Sequence, residues 1–269
     1  MRIVIIVLML IVSGSLMAQN GVNQVDAQGR KQGFWTKKDA QGRLLYQATF
    51  KDDQPVGEMK RFHPNGKIKA LMNFTEGSQV SEAKLFDESG HKIAEGKYLG
   101  QKKTGEWNYF LNDKIVSSEN YENGEKNGLA KKWFSSGELL EEATWANGKL
   151  NGIYRSYFQN GKVYIECKYN MGQKSGPFKT FFTDGTLELD AFYTNDQPDK
   201  SWLYYNEKGD LLYTLKYDKG TLLNPEVQDS INAASAGDYK TKEDNIPDPD
   251  KFRQNPEEYL RLMNERKEK

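Results

Sequence analysis

One spacing governs this chain: a pattern opened by glycine that returns every 24 residues from Gly33 to about residue 220. Gly33, Gly57, Gly105, Gly128, Gly152 and Gly176 open successive repeats, with Ser81 and Lys200 in the same place in the third and eighth. The fourth repeat is 23 residues long, one turn residue short near Asn112-Asp113. Self-similarity at a fixed period is the signature of a repeat architecture, in which no single unit can bury its apolar face alone.

The columns inside the repeat say what each unit is. Two residues after the opening stand Trp35, Met59, Ala83, Trp107, Ala130, Tyr154, Phe178 and Trp202; five after it stand Lys38, Phe62, Phe86, Phe110, Trp133, Tyr157, Phe181 and Tyr205. Near the end of every repeat comes an aromatic: Phe50, Phe74, Tyr98, Tyr121, Trp145, Tyr169, Tyr193 and Tyr217. The run into that last column alternates, as in Leu44, Tyr46, Ala48, Phe50 or Leu187, Leu189, Ala191, Tyr193, which places these residues on one buried face of a strand. The residues between them, such as Lys69, Glu142, Glu166, Lys168 and Asp190, suit a solvated opposite face. In the first strand the two aromatic columns lie three residues apart. Either a bulge lies between them or that strand carries aromatics on both faces.

Turn residues separate the strands. Gly42, Gly66, Gly90, Gly137, Gly161, Gly185 and Gly209 recur nine residues after the opening, and Asn65-Gly66 and Asn160-Gly161 predict type I′ hairpin turns. Asn123-Gly124 and Asn147-Gly148 serve the connections between repeats. The expected fold is all-β: an elongated single-sheet antiparallel β-hairpin solenoid of about eight repeats over residues 33–223. Sixteen strands at about 4.8 Å spacing would span roughly 75 Å.

The ends read differently. Residues 1–18 have the form of a secretory signal peptide: Arg2, then an apolar run over 3–12, a break at Ser13-Gly14-Ser15, and Ala18 at the cleavage point. The rival reading is an uncleaved anchor, but the apolar run is well short of the roughly 20 residues a helical span requires. No cysteine follows the run to carry a lipid anchor. The expected mature chain has no transmembrane segment and resides in the periplasm, at the cell surface or outside the cell. Residues 19–32 form a lead-in segment expected to cover one end of the array. Residues 224–269 form a charged tail, with a short helix over 227–236, an extended linker over 237–255 and a second helix start at Asn255-Pro256-Glu257-Glu258.

Lys and Arg together number 38, as do Asp and Glu, so no net field draws in nucleic acid. The two histidines, His63 and His91, fall at or beside turns, and no cysteine or carboxylate spacing completes a metal site around them. Cys167, the only cysteine, shares a column with Ala48, Met72, Ala143 and Ala191 and reads as a small buried apolar residue. No phosphate-binding loop or cofactor motif is present. The expectation is a protein without enzymatic activity, catalytic residues, cofactor or metal.

Segments such as Gly105-Glu106-Trp107-Asn108-Tyr109-Phe110, residues 152–161 and residues 176–185 resemble the MORN repeat. They are more similar still to its variant in bacterial proteins of the YwqK antitoxin-like family. The resemblance covers roughly residues 32–222. It implies a binding or scaffolding module, with an antitoxin-like role as one form of it. The leading expectation is a protein-binding scaffold of the cell envelope, with Trp35, Trp107, Trp133 and Trp202 as the candidate interaction face. A carbohydrate or cell-wall binder and an antitoxin-like immunity protein are the alternatives.

Overall fold

A computed structural model describes residues 21–244. The expected signal peptide and the helix start expected at Asn255 lie outside the described residues. The chain divides into two compact bodies, Met1–Gly137 and Glu138–Lys269, parting in the hairpin turn of the fifth repeat.

The first body holds β1 (Gln24–Val25), β2 (Lys31–Lys38), β3 (Leu44–Lys51), β4 (Gln54–Phe62), β5 (Ile68–Phe74), β6 (Val80–Phe86), β7 (Lys92–Leu99), β8 (Lys102–Leu111), β9 (Lys114–Glu122) and β10 (Glu125–Trp133). The second holds β11 (Leu139–Ala146), β12 (Lys149–Tyr157), β13 (Val163–Asn170), β14 (Gln173–Phe181), β15 (Leu187–Thr194), β16 (Gln197–Tyr205), β17 (Leu211–Asp218), β18 (Thr221–Leu222) and α1 (Pro225–Asp244). Within each body every strand pairs antiparallel with the next one in sequence. The all-β hairpin meander expected from the repeat is the fold.

The hairpin register explains the columns. The opening residue lies opposite the last-column aromatic, as Gly33 opposite Phe50 and Gly176 opposite Tyr193. The residue two places on lies opposite a smaller one: Trp35 opposite Ala48, Tyr154 opposite Cys167, Phe178 opposite Ala191. Each bulky ring therefore has room above a small neighbour on the same face. A register shift does fall between the two aromatic columns of the first strand. Lys37 opposes Tyr46 while Lys38 opposes Leu44, leaving Leu45 as the extra residue on the partner strand.

The opening glycines serve a second bulge, where one repeat pairs with the next. Gln47 opposes Lys60 and Thr49 opposes Val56, so β4 has two residues more than β3 around Gly57, which takes φ 70°. A left-handed residue is what such a bulge requires, and glycine adopts it without a Cβ penalty. The third repeat supplies the control. Ser81 stands at the opening, its φ is not left-handed, and β5 pairs with β6 from Ala70–Leu85 to Phe74–Ser81 without any shift.

Turn chemistry divides between the two rows of connections. Type I′ conformations, with both central residues at positive φ, occur between repeats at Asp52-Asp53, Asn123-Gly124, Asn147-Gly148 and Asn195-Asp196. The hairpin turns expected to be type I′ are not. Asn65 and Asn160 keep negative φ, and only Gly66 and Gly161 turn left-handed. Gly66 donates its N–H to His63 O, and His63 donates to Lys67 O, which is a type I turn closed by a left-handed glycine. Asn65 is then free to donate its side-chain amide to Glu88 O of the following repeat, as Asn160 does to Thr183 O. The same turn forms at Gly42, Gly90, Gly185 and Gly209, where no asparagine precedes the glycine, so loop length sets the turn type and the asparagine bonds add to it.

Both ends of the array are closed by local chain. Asn23 pairs with Phe34 and caps Thr36 beside β2, and the Trp35 indole N–H donates to Gln24 O. At the far end Asn224 accepts from Lys216 N and donates to Thr214 O, satisfying the open edge of β17 before Pro225 starts α1. The short helix expected over 227–236 and the linker expected from 237 are both corrected: α1 runs unbroken to Asp244. A lone Gly237 costs a helix only about 1 kcal/mol, and no proline intervenes before Pro247.

Candidate functional site

The face that carries the aromatic columns is the candidate site. Residues two, four, fifteen and seventeen places after each opening share it, while the opposite face is laced with charge pairs such as Arg155 with Glu166 and Glu142, and Lys179 with Asp190. The fully buried residues of the array are mostly the small ones: Ala48, Ala70, Ala83, Ala94, Ala143, Cys167 and Ala191. In the last column, expected to be core, only Phe50 is buried; Phe74, Tyr98, Tyr121, Trp145, Tyr169, Tyr193 and Tyr217 are half-buried. A single layer of sheet shields a ring from the backbone side and by its neighbours, and from nothing above.

The rings pack mainly on one another. Trp202 is tilted between Tyr193 and Tyr217, with centroids 5.1 Å away on each side, and its indole N–H donates to Phe192 O. Trp35 stands edge-on to Phe50 at 6.2 Å. Lysines two residues before the opening lie over several of these rings: Lys31 over Trp35 and Phe50, Lys103 over Trp107 and Tyr121, Lys174 over Phe178 and Tyr193.

Of the four tryptophans proposed as an interaction face, Trp35, Trp133 and Trp202 are half-buried and retain exposed surface. Trp107 does not. It is 0 % exposed, packed on Ala83 and Ala94, edge-on to Tyr98 at 4.9 Å, with its N–H on Lys97 O. The third repeat carries Ala83 and Gly96 where others carry larger residues, and the indole fills that space. Trp107 is therefore core, and offers no surface to a partner.

Around it the fourth repeat builds a polar chain. Lys103 donates to the Tyr109 hydroxyl (2.7 Å), which lies 3.0 Å from the Tyr121 hydroxyl, and Tyr121 donates to Glu119 (2.6 Å). Burial alone would raise the Glu119 carboxyl, but bonds from Lys126 and Tyr121 outweigh it and hold it below its ordinary value. Burial, then the Glu119 and Tyr109 bonds, push the Tyr121 phenol far upward. These groups satisfy one another and are arranged to hold the face together.

One concavity was not foreseen from the sequence. An open groove of about 1190 Å³ lies on the aromatic face of the first body, with Met59, Met72, Leu85, Phe74 and Tyr98 in its lining. Its cause is legible in the columns afterwards. Met59 replaces the ring two residues after the opening, Trp107 has leaned over Ala83, and residues 75–79 connect the second and third repeats by five residues where most connections use two. Arg61 lines this groove and a smaller one beside it of about 490 Å³.

Other expected positions fall as follows. His63 sets Nε2 2.9 Å from Phe86 O, and His91 is an exposed turn residue 3.3 Å from Asp87. Among the described residues no three of His, Cys, Asp and Glu are grouped to hold a metal ion. Burial pushes the Cys167 thiol up to about 11, which leaves it protonated and unreactive near neutrality.

Three stretches of the chain match the MORN repeat variant. The matched residues are 55–76, 126–147 and 150–171. They cover the β4–β5 hairpin, the fifth repeat and the β12–β13 hairpin. Each matched stretch contains an opening glycine, Gly57, Gly128 or Gly152. No curated protein matches the sequence. Among solved structures, the chain is similar at 13 % identity to a mutant of S. aureus TarM in complex with fondaparinux, α-GlcNAc-glycerol and UDP. That match has a TM-score of 0.23 and covers 49 % of this chain and 21 % of that one. Likeness at that level carries no argument about fold or function.

Proposed function

We propose that this chain is a non-enzymatic binding or scaffold protein of the cell envelope, exported by its N-terminal segment and engaging a protein partner through the aromatic face. The observation that carries this reading is the half-buried state of the rings. Seven of the eight last-column aromatics, with Trp35 and Trp202, are half-buried and keep exposed surface on this face of each body, with no second layer among the described residues; Trp133, five residues after its opening, lies on the opposite face. Exposed apolar surface rimmed by polar residues marks interaction sites. Aromatic side chains contribute most to such contacts because they bury a large area for few rotatable bonds.

The carbohydrate alternative is weaker on one specific ground. Sugar stacking requires an open ring face, and Lys31, Lys103 and Lys174 already lie over rings of this surface while Trp202 is flanked by two tyrosines. An antitoxin-like role is a special case of protein binding and is distinguished by the identity of the partner.

Cross-linking in the native host, followed by capture of the tagged chain from fractionated cells, tests the reading. A stoichiometric protein partner in the envelope fraction is the expected result. Recovery of the chain from the cytosol, or its capture from intact envelopes with no partner in repeated trials, would overturn it. Co-sedimentation with purified cell wall, with no protein recovered, would transfer the reading to the glycan alternative.

A further inference from the structure

The groove beside Met59 goes beyond a generic apolar face, because one of its lining residues carries a charge with nothing to neutralise it. We propose that this groove seats an extended peptide segment of the partner, with a carboxylate held by Arg61 and apolar side chains on Met59, Met72 and Leu85. This inference rests on the protein-binding reading above and names the chemistry of the partner segment.

Arg61 sits four residues after Gly57, opposite Ala70 within its hairpin and opposite Tyr46 of the preceding one. The same place in other repeats is held by Lys37, Leu85, Tyr109, Lys132, Ser156, Thr180 and Tyr204, so Arg61 supplies the one guanidinium of the column. Lys31, Lys103 and Lys174 on the same face are engaged with rings. The Arg61 side chain has no ion pair, hydrogen bond or ring contact among the described residues. The acids at the groove rim are otherwise occupied: Glu76 pairs with Lys51 at 2.5 Å, and Asp52 with Arg30 at 3.0 Å. In the smaller groove Asp87 takes His91 and its own turn amides, and Glu88 makes no ion pair with Arg61. A guanidinium presents a planar fork of donors that matches a carboxylate in two parallel bonds, and the exposed Arg61 side chain can take such a partner from solvent.

The shape argues for a chain rather than a small molecule. Small-ligand sites enclose about 70–90 % of the ligand; this groove is open along one side. Across its floor β5 and β6 pair with no bulge. Methionines on that floor are flexible and polarizable, and adapt to different apolar side chains.

Peptide display selection on the immobilised full chain tests the proposal, followed by fluorescence anisotropy with the enriched peptide synthesised as free acid, as C-terminal amide, and with its acidic side chains replaced by amides. Enriched peptides should pair an acid with apolar residues. Arg61→Glu should weaken binding at least tenfold, and Met59→Trp, which fills the groove, should do the same. Lys168→Glu in the second body should leave binding unchanged, and a thermal melt of each variant confirms folding. The amide arms tell a terminal carboxylate from a side-chain one. No enrichment, enriched peptides without an acid, or affinities indifferent to both Arg61→Glu and Met59→Trp would overturn the assignment. Capture of the envelope partner equally by wild type and Met59→Trp would remove this groove while leaving the protein-binding reading intact. Peptide binding here with no envelope partner would do the reverse.

Discussion

The Trp107 indole lies directly over Gly96: a Cβ added to Gly96 would come within 2.4 Å of the ring. The glycine is not in the left-handed region, so its role is spatial, making room on β7 for the one large side chain that is fully buried among the described residues. The whole aromatic face turns on such pairings of a bulky residue with a small one across a strand boundary.

Gly96→Ala should therefore destabilise the first body by about 1–3 kcal/mol, the usual penalty for overpacking. The effect should shrink when Trp107 is replaced by Leu in the same chain. Urea unfolding of the two single variants and the double variant checks this. Additive losses would show that the two residues are not in contact.

Trp107→Ala should be the most damaging of the tryptophan substitutions, at about 3–5 kcal/mol, because a fully buried ring leaves a cavity behind. Trp202→Ala, at a half-buried position, should cost clearly less. Denaturation midpoints of the two variants, followed by far-UV circular dichroism, decide the order.

At the bulges the prediction is conformational. Gly57 has φ 70° with nothing within 4 Å of an added Cβ, so Gly57→Ala should cost about 1–2 kcal/mol from backbone strain alone. Gly152 has φ 121°, and an added Cβ would also meet the Thr144 Cβ at 3.1 Å. Gly152→Ala should cost more than Gly57→Ala. Equal losses in thermal unfolding would mean that space at Gly152 plays no part.

Alkaline pH should loosen the second body before mild acid does. Burial favours the neutral thiol of Cys167, raising it from 9.0 to about 11, and favours the neutral phenols of Tyr154, Tyr157 and Tyr204, raising each from 10.0 to about 12. The folded chain holds these protons more tightly than the unfolded chain. Their contribution is complete below about pH 9 and is lost as pH rises through 11 to 12. Melting temperature measured from pH 7 to 12 should fall over that window, and a chromogenic disulfide reagent at pH 8 should react with Cys167 only after denaturant is added. Prompt reaction in the native protein would place the thiol at the surface.

Much of this was readable before any coordinates. The 24-residue period, the alternation through Leu44–Phe50 and Leu187–Tyr193, and the turn glycines led to an all-β hairpin meander because each is a local rule repeated eight times. Three things were not readable. The hairpin turn type at Asn65-Gly66 depends on where the strands stop: five residues, 63–67, separate β4 from β5, and a loop of that length is built on a type I turn. The buried state of Trp107 depends on what its neighbours lack, at Ala83 and Gly96. The Arg61 groove depends on a missing ring at Met59 and a longer connection at residues 75–79.

Periodic side chains thus determined, by themselves, which residues pair and which face is apolar, since backbone hydrogen bonding and strand alternation leave few other ways to satisfy a 24-residue hairpin. The tertiary structure alone decided which of those apolar residues are covered. Coverage is a property of volumes meeting across strands, and a residue's own place in the repeat does not contain the size of its neighbour.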